Sequence, residues 1–152
     1  HGISSTYLLL DPEKDPALIG YATLTFDSVR LTNTEKKKME ELIGIAQFGA
    51  IRIQMIGVDH RHQRTRCGTT LLEAITGLAR KLSQDIAVRF LLADANVKRI
   101  GFYEAAGFVT NQAKREAERT DSERSVSMRL DLIDAPAVDG LGDVVTVAAQ
   151  AS

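Results

Sequence analysis

The chain has 152 residues, enough for one domain with a single sizeable core. Its 44% apolar and 26% charged residues are those of an ordinary globular protein, and with 5% aromatics and no Trp the core must rest on Leu, Ile, Val and Ala. A net charge of −1 excludes a global drive toward nucleic acid or anionic membrane, and no apolar run approaches the length needed to cross a bilayer.

The single cysteine, Cys67, excludes an internal disulfide framework and fits a reducing, cytoplasmic setting. The opening His1-Gly2-Ile3-Ser4 has no charged-then-apolar leader and reads as processed or tag-derived sequence. Tyr7 to Leu10 is a short apolar run that stops at residues 11–16, where Pro12 and Pro16 among charges mark a turn. Ile19 to Phe26, rich in β-branched and aromatic residues, is predicted as the partner strand of a hairpin. Thr34 is predicted to cap a helix carrying Met39, Leu42 and Ile43 at helical spacing, with Gly44 as its stop. Ala50 to Val58 alternates and then turns continuously apolar, as a strand buried near its end does.

Gly68 opens a strong amphipathic helix, with Leu71, Leu72, Ile75, Leu78, Ala79 and Leu82 in one core-facing stripe. Ile86 to Ala93 is predicted as a second apolar strand, and Lys98 to Ala106 as a short helix ended by Gly107. Asn111 to Glu123 is charged and reads as a loop or hairpin excursion, and Ser125 to Leu132 alternates as a half-exposed antiparallel strand. Residues 1–133 form the domain. From 134 to 152 the composition shifts to Ala, Val, Gly and Asp with no basic residue, an extension that includes a candidate added strand at Val144 to Ala148. The order is β-β-(α)-β-α-β-α-β-β. It predicts an α/β (α+β) fold with a mixed, mainly antiparallel sheet, a central parallel β-α-β unit and flanking helices.

The most informative stretch runs from Asp59 to Thr70, between a strand and a helix N-terminus. Unpaired amides and the helix dipole make such a junction an anion site. Gly68 admits a ligand close to the backbone, Thr69 and Thr70 add hydroxyls, and Arg64 and Arg66 add fixed positive charge. Neither G-x-x-x-x-G-K-S/T nor G-x-G-x-x-G is present. The residues alone imply a phosphate-bearing ligand, with a plain strand–helix connection as the alternative. His60 and His62 lack the further ligands of a metal site, so no metal is expected. Cys67 stands where a helix N-terminus lowers a thiol pKa, but no histidine is placed as its base, so its amide is given more weight than its sulfur.

Ile56-Gly57-Val58 through Leu72, followed by Asn96 to Phe108 (NVKRIGFYEAAGF), resembles the GNAT superfamily of N-acetyltransferases, over about residues 5 to 132. In that family an R/Q-x-x-G-x-G/A loop binds the pyrophosphate of acetyl-CoA, and a later helix supplies a tyrosine beside the cofactor sulfur. Gln63, Gly68, Leu71 and Leu72 match the first motif; Asn96, Phe102, Tyr103, Glu104, Gly107 and Phe108 match the second. The resemblance implies acetyl-CoA as co-substrate, in contact with Ile56, Val58, Gln63, Arg64, Thr65, Arg66, Cys67, Gly68, Thr69 and Asn96. It implies Tyr103 as the general acid toward the CoA thiolate, and oxyanion-stabilising amides on the strand ending at Val58. A packed ring for Tyr103 and a helix cap for Asn96 are the structural alternatives. No base identifies itself: Asp59 and His60 are near in sequence, but the strand's exit turns them from the sulfur.

The chain departs from the pattern at Arg66, where the first loop glycine is expected, at Arg99, where the helix usually has Ala, and in starting almost at the hairpin. The expected acceptor is a primary amine on a small molecule, peptide or protein side chain. Gly20 to Leu24 and Ser28 to Leu31 are similar to toxins that acetylate aminoacyl-tRNA, which would set Arg61, Arg80, Lys81, Lys98 and Arg99 along RNA phosphates. A non-catalytic acyl-CoA-binding or docking module is the alternative from another class. A homodimer is left open, and no membrane partner is expected.

Overall fold

Strands β1 (Ser5–Leu10) and β2 (Leu18–Val29) form the expected hairpin, paired antiparallel from Ser5↔Leu24 to Leu10↔Leu18. The turn between them is closed by Asp11 N donating to Ala17 O at 2.8 Å. The structure, a computed structural model, describes residues 4–39, 44–112, 125–134 and 150–151.

Helix α1 (Asn33–Lys37) starts from Thr32, not from the Thr34 expected from sequence. The Thr32 hydroxyl accepts from Glu35 N at 3.2 Å, and the Glu35 carboxylate accepts from Thr32 N at 2.7 Å. This is a capping box, whose Thr-x-x-Glu spacing selects Thr32 over Thr34. The helix ends at Lys37, so Met39 lies beyond it; Leu42 and Ile43 lie outside the described residues. Gly44, expected as the stop of this helix, takes φ +96° but lies well beyond Lys37, where the helix ends.

Strand β3 (Phe48–Val58) pairs antiparallel with β2, and helix α2 (Cys67–Asp85) crosses to β4 (Phe90–Asn96), which pairs parallel with β3. β4 begins at Phe90 rather than at Ile86. Ile86 is the C-cap of α2, still donating to Leu82 O at 3.0 Å, and the chain needs residues 87–89 to regain the sheet, where Arg89 N donates to Gly49 O at 2.9 Å. A turn of 3₁₀ helix (Val97–Arg99) leads into α3 (Ile100–Ala105), after which Gly107 takes φ +92°.

Strand β5 (Val109–Thr110), too short to announce itself in sequence, pairs antiparallel with β6 (Ser125–Asp131), and β6 with β4. β7 (Gln150–Ala151) pairs antiparallel with β1. The predicted strand at Val144 to Ala148 and most of the charged excursion lie outside the described residues. The sheet order is β5-β6-β4-β3-β2-β1-β7, antiparallel throughout except for β3–β4, which is the mixed sheet the element order predicts.

Packing fixes which sheet face does what. Leu71, Leu72, Ile75 and Ala79 of α2 are buried against Leu24, Ile51, Ile53 and Leu91, with Leu78 and Leu82 half-buried beside them. Each fully buried Leu or Ile here contributes about 1.5–3 kcal/mol. The opposite face carries a smaller cluster of Val29, Leu31, Phe48, Ala50, Phe90 and Leu92, in which the two phenyl rings meet edge to face at 5.6 Å.

Candidate active site

The site exists because two paired strands part. Thr23 pairs with Met55 and Leu24 with Ile53, leaving Gln54 as an extra residue in β3. Such a bulge bends its strand and increases its twist. At the same level the parallel ladder ends, with Ile53↔Ala93 as its last pair. Beyond it β3 runs on to Val58 beside β2, and β4 to Asn96 beside β6. The cleft between them is about 680 Å³ in volume. Its walls are the β3 edge from Ile53 to Val58, Asp94 and Asn96 of β4, the loop into α2, and Arg99, Phe102 and Tyr103. The β3 edge there has no ladder partner in β4, so its polar groups are open to a ligand.

The loop from β3 to α2 is ordered by its own side chains. Asp59 caps the 3₁₀ turn His60–His62, its Oδ1 accepting from Arg61 N at 2.9 Å. The Arg61 guanidinium grips the same carboxylate, with Nη2 donating to Oδ2 at 2.8 Å and Nε to Oδ1 at 3.1 Å. Those hydrogen bonds hold the Asp59 pKa well below the usual carboxylate range, which disqualifies it as a base at neutral pH. Gln63 Nε2 donates to Val58 O at 3.3 Å, tying the loop back to the strand.

Arg64 and Arg66 both adopt left-handed backbone, with φ +63° and +66°. Arg66 stands where a glycine was expected, and the loop keeps the glycine's conformation, at a cost of about 1–2 kcal/mol for a side chain bearing Cβ. No side chain caps α2, whose first intrahelical bond runs from Thr70 N to Arg66 O at 2.9 Å. The preceding amides of Cys67, Gly68 and Thr69 therefore form an uncapped, electropositive helix end at the cleft. A Cβ at Gly68 would sit 3.7 Å from the Phe102 ring, an ordinary contact, so packing within the protein does not demand glycine there. It does at Gly20 on β2, where a Cβ would lie 2.6 Å from the backbone oxygen of Gly57.

Ile56, Val58, Gln63, Arg64, Arg66, Gly68, Thr69, Asn96 and Tyr103 all line the cleft. Thr65 and Cys67, expected beside them, are absent from its walls: Thr65 Oγ1 donates to His62 O at 2.5 Å and lies 3.2 Å from Cys67 Sγ, so the two side chains brace the loop. Asn96 has both anticipated positions, lining the cleft while its Oδ1 accepts from Lys98 N at 3.0 Å. Sequence reasoning missed Tyr21 and Asp94; the available signal at 94 was a carboxylate interrupting an apolar strand. Of the basic residues considered for RNA, Arg99 lines the cleft and Arg61 is engaged with Asp59. Arg80 and Lys81 sit about 18 Å of helical rise along α2 from Gly68.

Tyr103 is the buried titratable group of the site, 6% exposed, its ring edge-on to Phe102 at 5.2 Å and Phe108 at 5.3 Å. Burial pushes its phenol pKa up; Arg99 pulls it back and Asp94 adds to the rise, leaving it above the ordinary value. The phenol thus keeps its proton at neutral pH. Among the described residues, no cluster of three or more His, Cys, Asp or Glu could hold a metal, and no helix is long and apolar enough to cross a membrane.

A bulged, splayed strand pair feeding an uncapped helix end, with a proton-retaining tyrosine in the same cleft, can hold an anionic ligand with a proton donor beside it. Residues 4–108 match the acetyltransferase (GNAT) family; the chain belongs to it and is an N-acetyltransferase. No protein of curated function matches the chain in sequence. Its fold is similar to that of a bacterial toxin, at TM-score 0.62 and 23% identity over 83% of this chain and 66% of the other. It is also similar to AtaT complexed with acetyl-methionyl-tRNAfMet, at TM-score 0.67 and 17% identity over 85% of this chain and 71% of that one. A third likeness is to AtaTR bound with AcCoA, at TM-score 0.61 and 19% identity over 86% and 72%. The chain therefore spans roughly two thirds of the length of these toxins, and likeness at this identity speaks to the fold.

Proposed function

We propose that the chain transfers the acetyl group of acetyl-CoA directly to a primary amine, with residues 1–133 as the catalytic domain. One observation carries this reading: the uncapped α2 N-terminus and the buried Tyr103 phenol line the same cleft. The amides of Gly68 and Thr69 and the charges of Arg64 and Arg66 suit a pyrophosphate, with the helix dipole adding to the attraction. The pantetheine arm then occupies the gap between β3 and β4, where the open strand edge supplies amide hydrogen-bond donors.

The amine first gives a proton to solvent. Its nitrogen forms a bond to the thioester carbonyl carbon, and edge amides near Ile56 to Val58 stabilise the oxyanion that develops. The C–S bond breaks as the departing sulfur takes the Tyr103 proton. The phenolate is reprotonated by the second proton that leaves the new amide nitrogen. A phenol with an elevated pKa is suited to this step because it arrives protonated.

The expected result of Tyr103→Phe is a fall in kcat of about 10²-fold or more, with the acetyl-CoA dissociation constant unchanged. Acetyl-CoA binding in the wild-type chain without turnover on any amine would instead favour a non-catalytic binding module.

A second reading makes the acceptor the α-amine of an aminoacyl-tRNA. It is favoured by the likeness to AtaT in complex with acetyl-methionyl-tRNAfMet and by Arg99 in the cleft wall, with Lys98 next to it in sequence. Binding that tracks phosphates must weaken steeply with salt. A KM for charged tRNA that is flat between 50 and about 200 mM salt would count against this acceptor.

A further inference from the structure

The packing of Tyr103 works against the step in which it gives up its proton. Its ring lies edge-on to Phe102 and Phe108, in an apolar cluster to which β6 contributes Met128 and Leu130. Such surroundings keep the phenol protonated, and they equally penalise the phenolate left once the proton has gone. Asp94 of β4, in the same cleft wall, adds to that penalty. Burial and a neighbouring carboxylate alone would leave a phenol too weak to serve well as an acid.

Arg99 is placed to oppose both effects. It is the N-cap of α3, one helical turn before Tyr103, and both residues line the cleft. Residues four apart on a helix are neighbours on one face, within reach of a long side chain. The other cations near the cleft have different places. Arg52 donates to Asp27 and Asp94, and Arg61 to Asp59. Arg64 and Arg66 belong to the loop at the α2 end. Among the described residues the Arg99 guanidinium has neither an ion-pair partner nor a hydrogen bond. Of the charges that act on the Tyr103 phenol, Arg99 favours the phenolate and Asp94 disfavours it; Tyr21, the other phenol in the cleft wall, carries no charge at neutral pH.

We infer that Arg99 is a positioning residue of the acid, its guanidinium held in the cleft wall as the counter-charge for the Tyr103 phenolate. The inference rests on the acetyl-transfer reading for its purpose, though its first test does not. The sulfur takes the phenol proton as the C–S bond breaks, and the phenolate then stands beside Arg99. The proton leaving the new amide nitrogen restores the phenol. A guanidinium suits this place because it stays charged throughout the range in which a phenol titrates. Arg99 is exposed, so it keeps its own hydration while it stabilises an anion that is buried.

The test reads the phenol directly. The full chain, labelled with 3,5-difluorotyrosine at its 3 tyrosines, is titrated by ¹⁹F NMR, the Tyr103 signal being the one lost in Tyr103→Phe. Fluorination makes a phenol more acidic and brings its titration toward neutral pH. The Tyr103 midpoint should move to higher pH in Arg99→Ala and return in Arg99→Lys, which restores the charge. Added salt should narrow the difference, because an exposed charge is screened. In unlabelled protein Arg99→Ala should lower kcat about two- to fivefold, as the loss of an exposed charge pair does, with the acetyl-CoA dissociation constant unchanged. An unmoved or lowered midpoint in folded Arg99→Ala, a midpoint that lysine fails to restore, or an unchanged kcat each overturns the proposal. Weaker acetyl-CoA binding with an unmoved midpoint overturns it too, and assigns Arg99 to the cofactor. If Arg99→Ala does not fold, Arg99→Gln, which removes the charge and keeps a long polar side chain, takes its place. The titration needs no turnover, so it is separable from the parent reading, which fails instead if calorimetry finds no acetyl-CoA affinity.

Discussion

Arg129→Met tests whether the network that fastens α1 to the far edge of the sheet is an energetic unit. Glu35 and Arg129 are 5% and 4% exposed, and the carboxylate is fully engaged. Its Oε1 accepts from Arg129 Nη1 at 2.6 Å and from Gln112 N at 3.2 Å; its Oε2 accepts from Thr32 N at 2.7 Å and Thr32 Oγ1 at 2.9 Å. Burial alone would raise the Glu35 pKa, but the backbone donors, the Arg129 charge and the Thr32 hydroxyl together bring it below the ordinary value. Removing Arg129 strands a buried carboxylate, which costs about 3–5 kcal/mol. Against a total stability of about 5–15 kcal/mol, that is a large share, and the thermal midpoint should drop by about 6–20 °C. The sign with pH is distinctive. In the wild type the folded Glu35 pKa lies below the unfolded value of 4.5, so its contribution is complete above that pH and fades as pH falls through the folded value. In the variant, burial acts with less opposition and the pKa rises, so the penalty is greatest at neutral pH and is relieved by protonation. Urea unfolding followed by circular dichroism should therefore give a difference between the two proteins that shrinks from pH 7 to pH 4. A difference under about 1 kcal/mol at pH 7, or one independent of pH, refutes the reasoning.

Two further outcomes follow from the cofactor loop and the acid. Arg66→Gly removes the left-handed penalty of about 1–2 kcal/mol but returns about 0.5–1 kcal/mol of backbone entropy to the unfolded chain, so a slightly higher thermal midpoint is expected. The same variant should bind acetyl-CoA several-fold more weakly and with less salt dependence, both readable by calorimetry; tighter binding would mean that Arg66 does not meet the cofactor. For Tyr103, activity should fall as pH rises through its elevated pKa, because the acid must be protonated, and Tyr103→Phe should lack that alkaline limb. An alkaline limb unchanged in the variant assigns the titration to another group.

Most of the fold was legible because its signals are local. The stripe from Leu71 to Leu82 recurs at helical spacing, so it could only be one buried helix face, and the turn at residues 11–16 carries its own prolines. The errors fall where a local signal had a rival or a long-range competitor. Thr32 and Thr34 are both capping residues, and only the reciprocal bond from Glu35 separates them. The apolar run from Ile86 looked continuous with the strand, yet residues 86–89 serve to turn the chain off α2 onto the sheet, a geometric need that hydrophobicity does not encode.

The site divides along the same line. A pyrophosphate is bound by consecutive amides at one helix end, so its binder must be contiguous, and Gln63 to Thr69 were visible as a string. The opening that admits the rest of a ligand is not contiguous. It depends on Gln54 being one residue too many opposite Thr23 and Leu24, and on β4, some forty positions later, losing its partner at the same level. Neither strand carries a mark of the event, because alternation continues through a bulge with only a shift of phase. Side-chain contacts between strands are harder still: Arg52 of β3 joins Asp27 of β2 to Asp94 of β4, one residue from each. Taken alone, Asp94 is merely the polar residue that alternation allows. Only the registers Leu24↔Ile53 and Ile53↔Ala93 bring Asp94 and Asn96 of β4 to the same cleft as the open β3 edge. A side-chain constellation of this kind is a property of strand pairing, and it becomes readable when the sheet order is known.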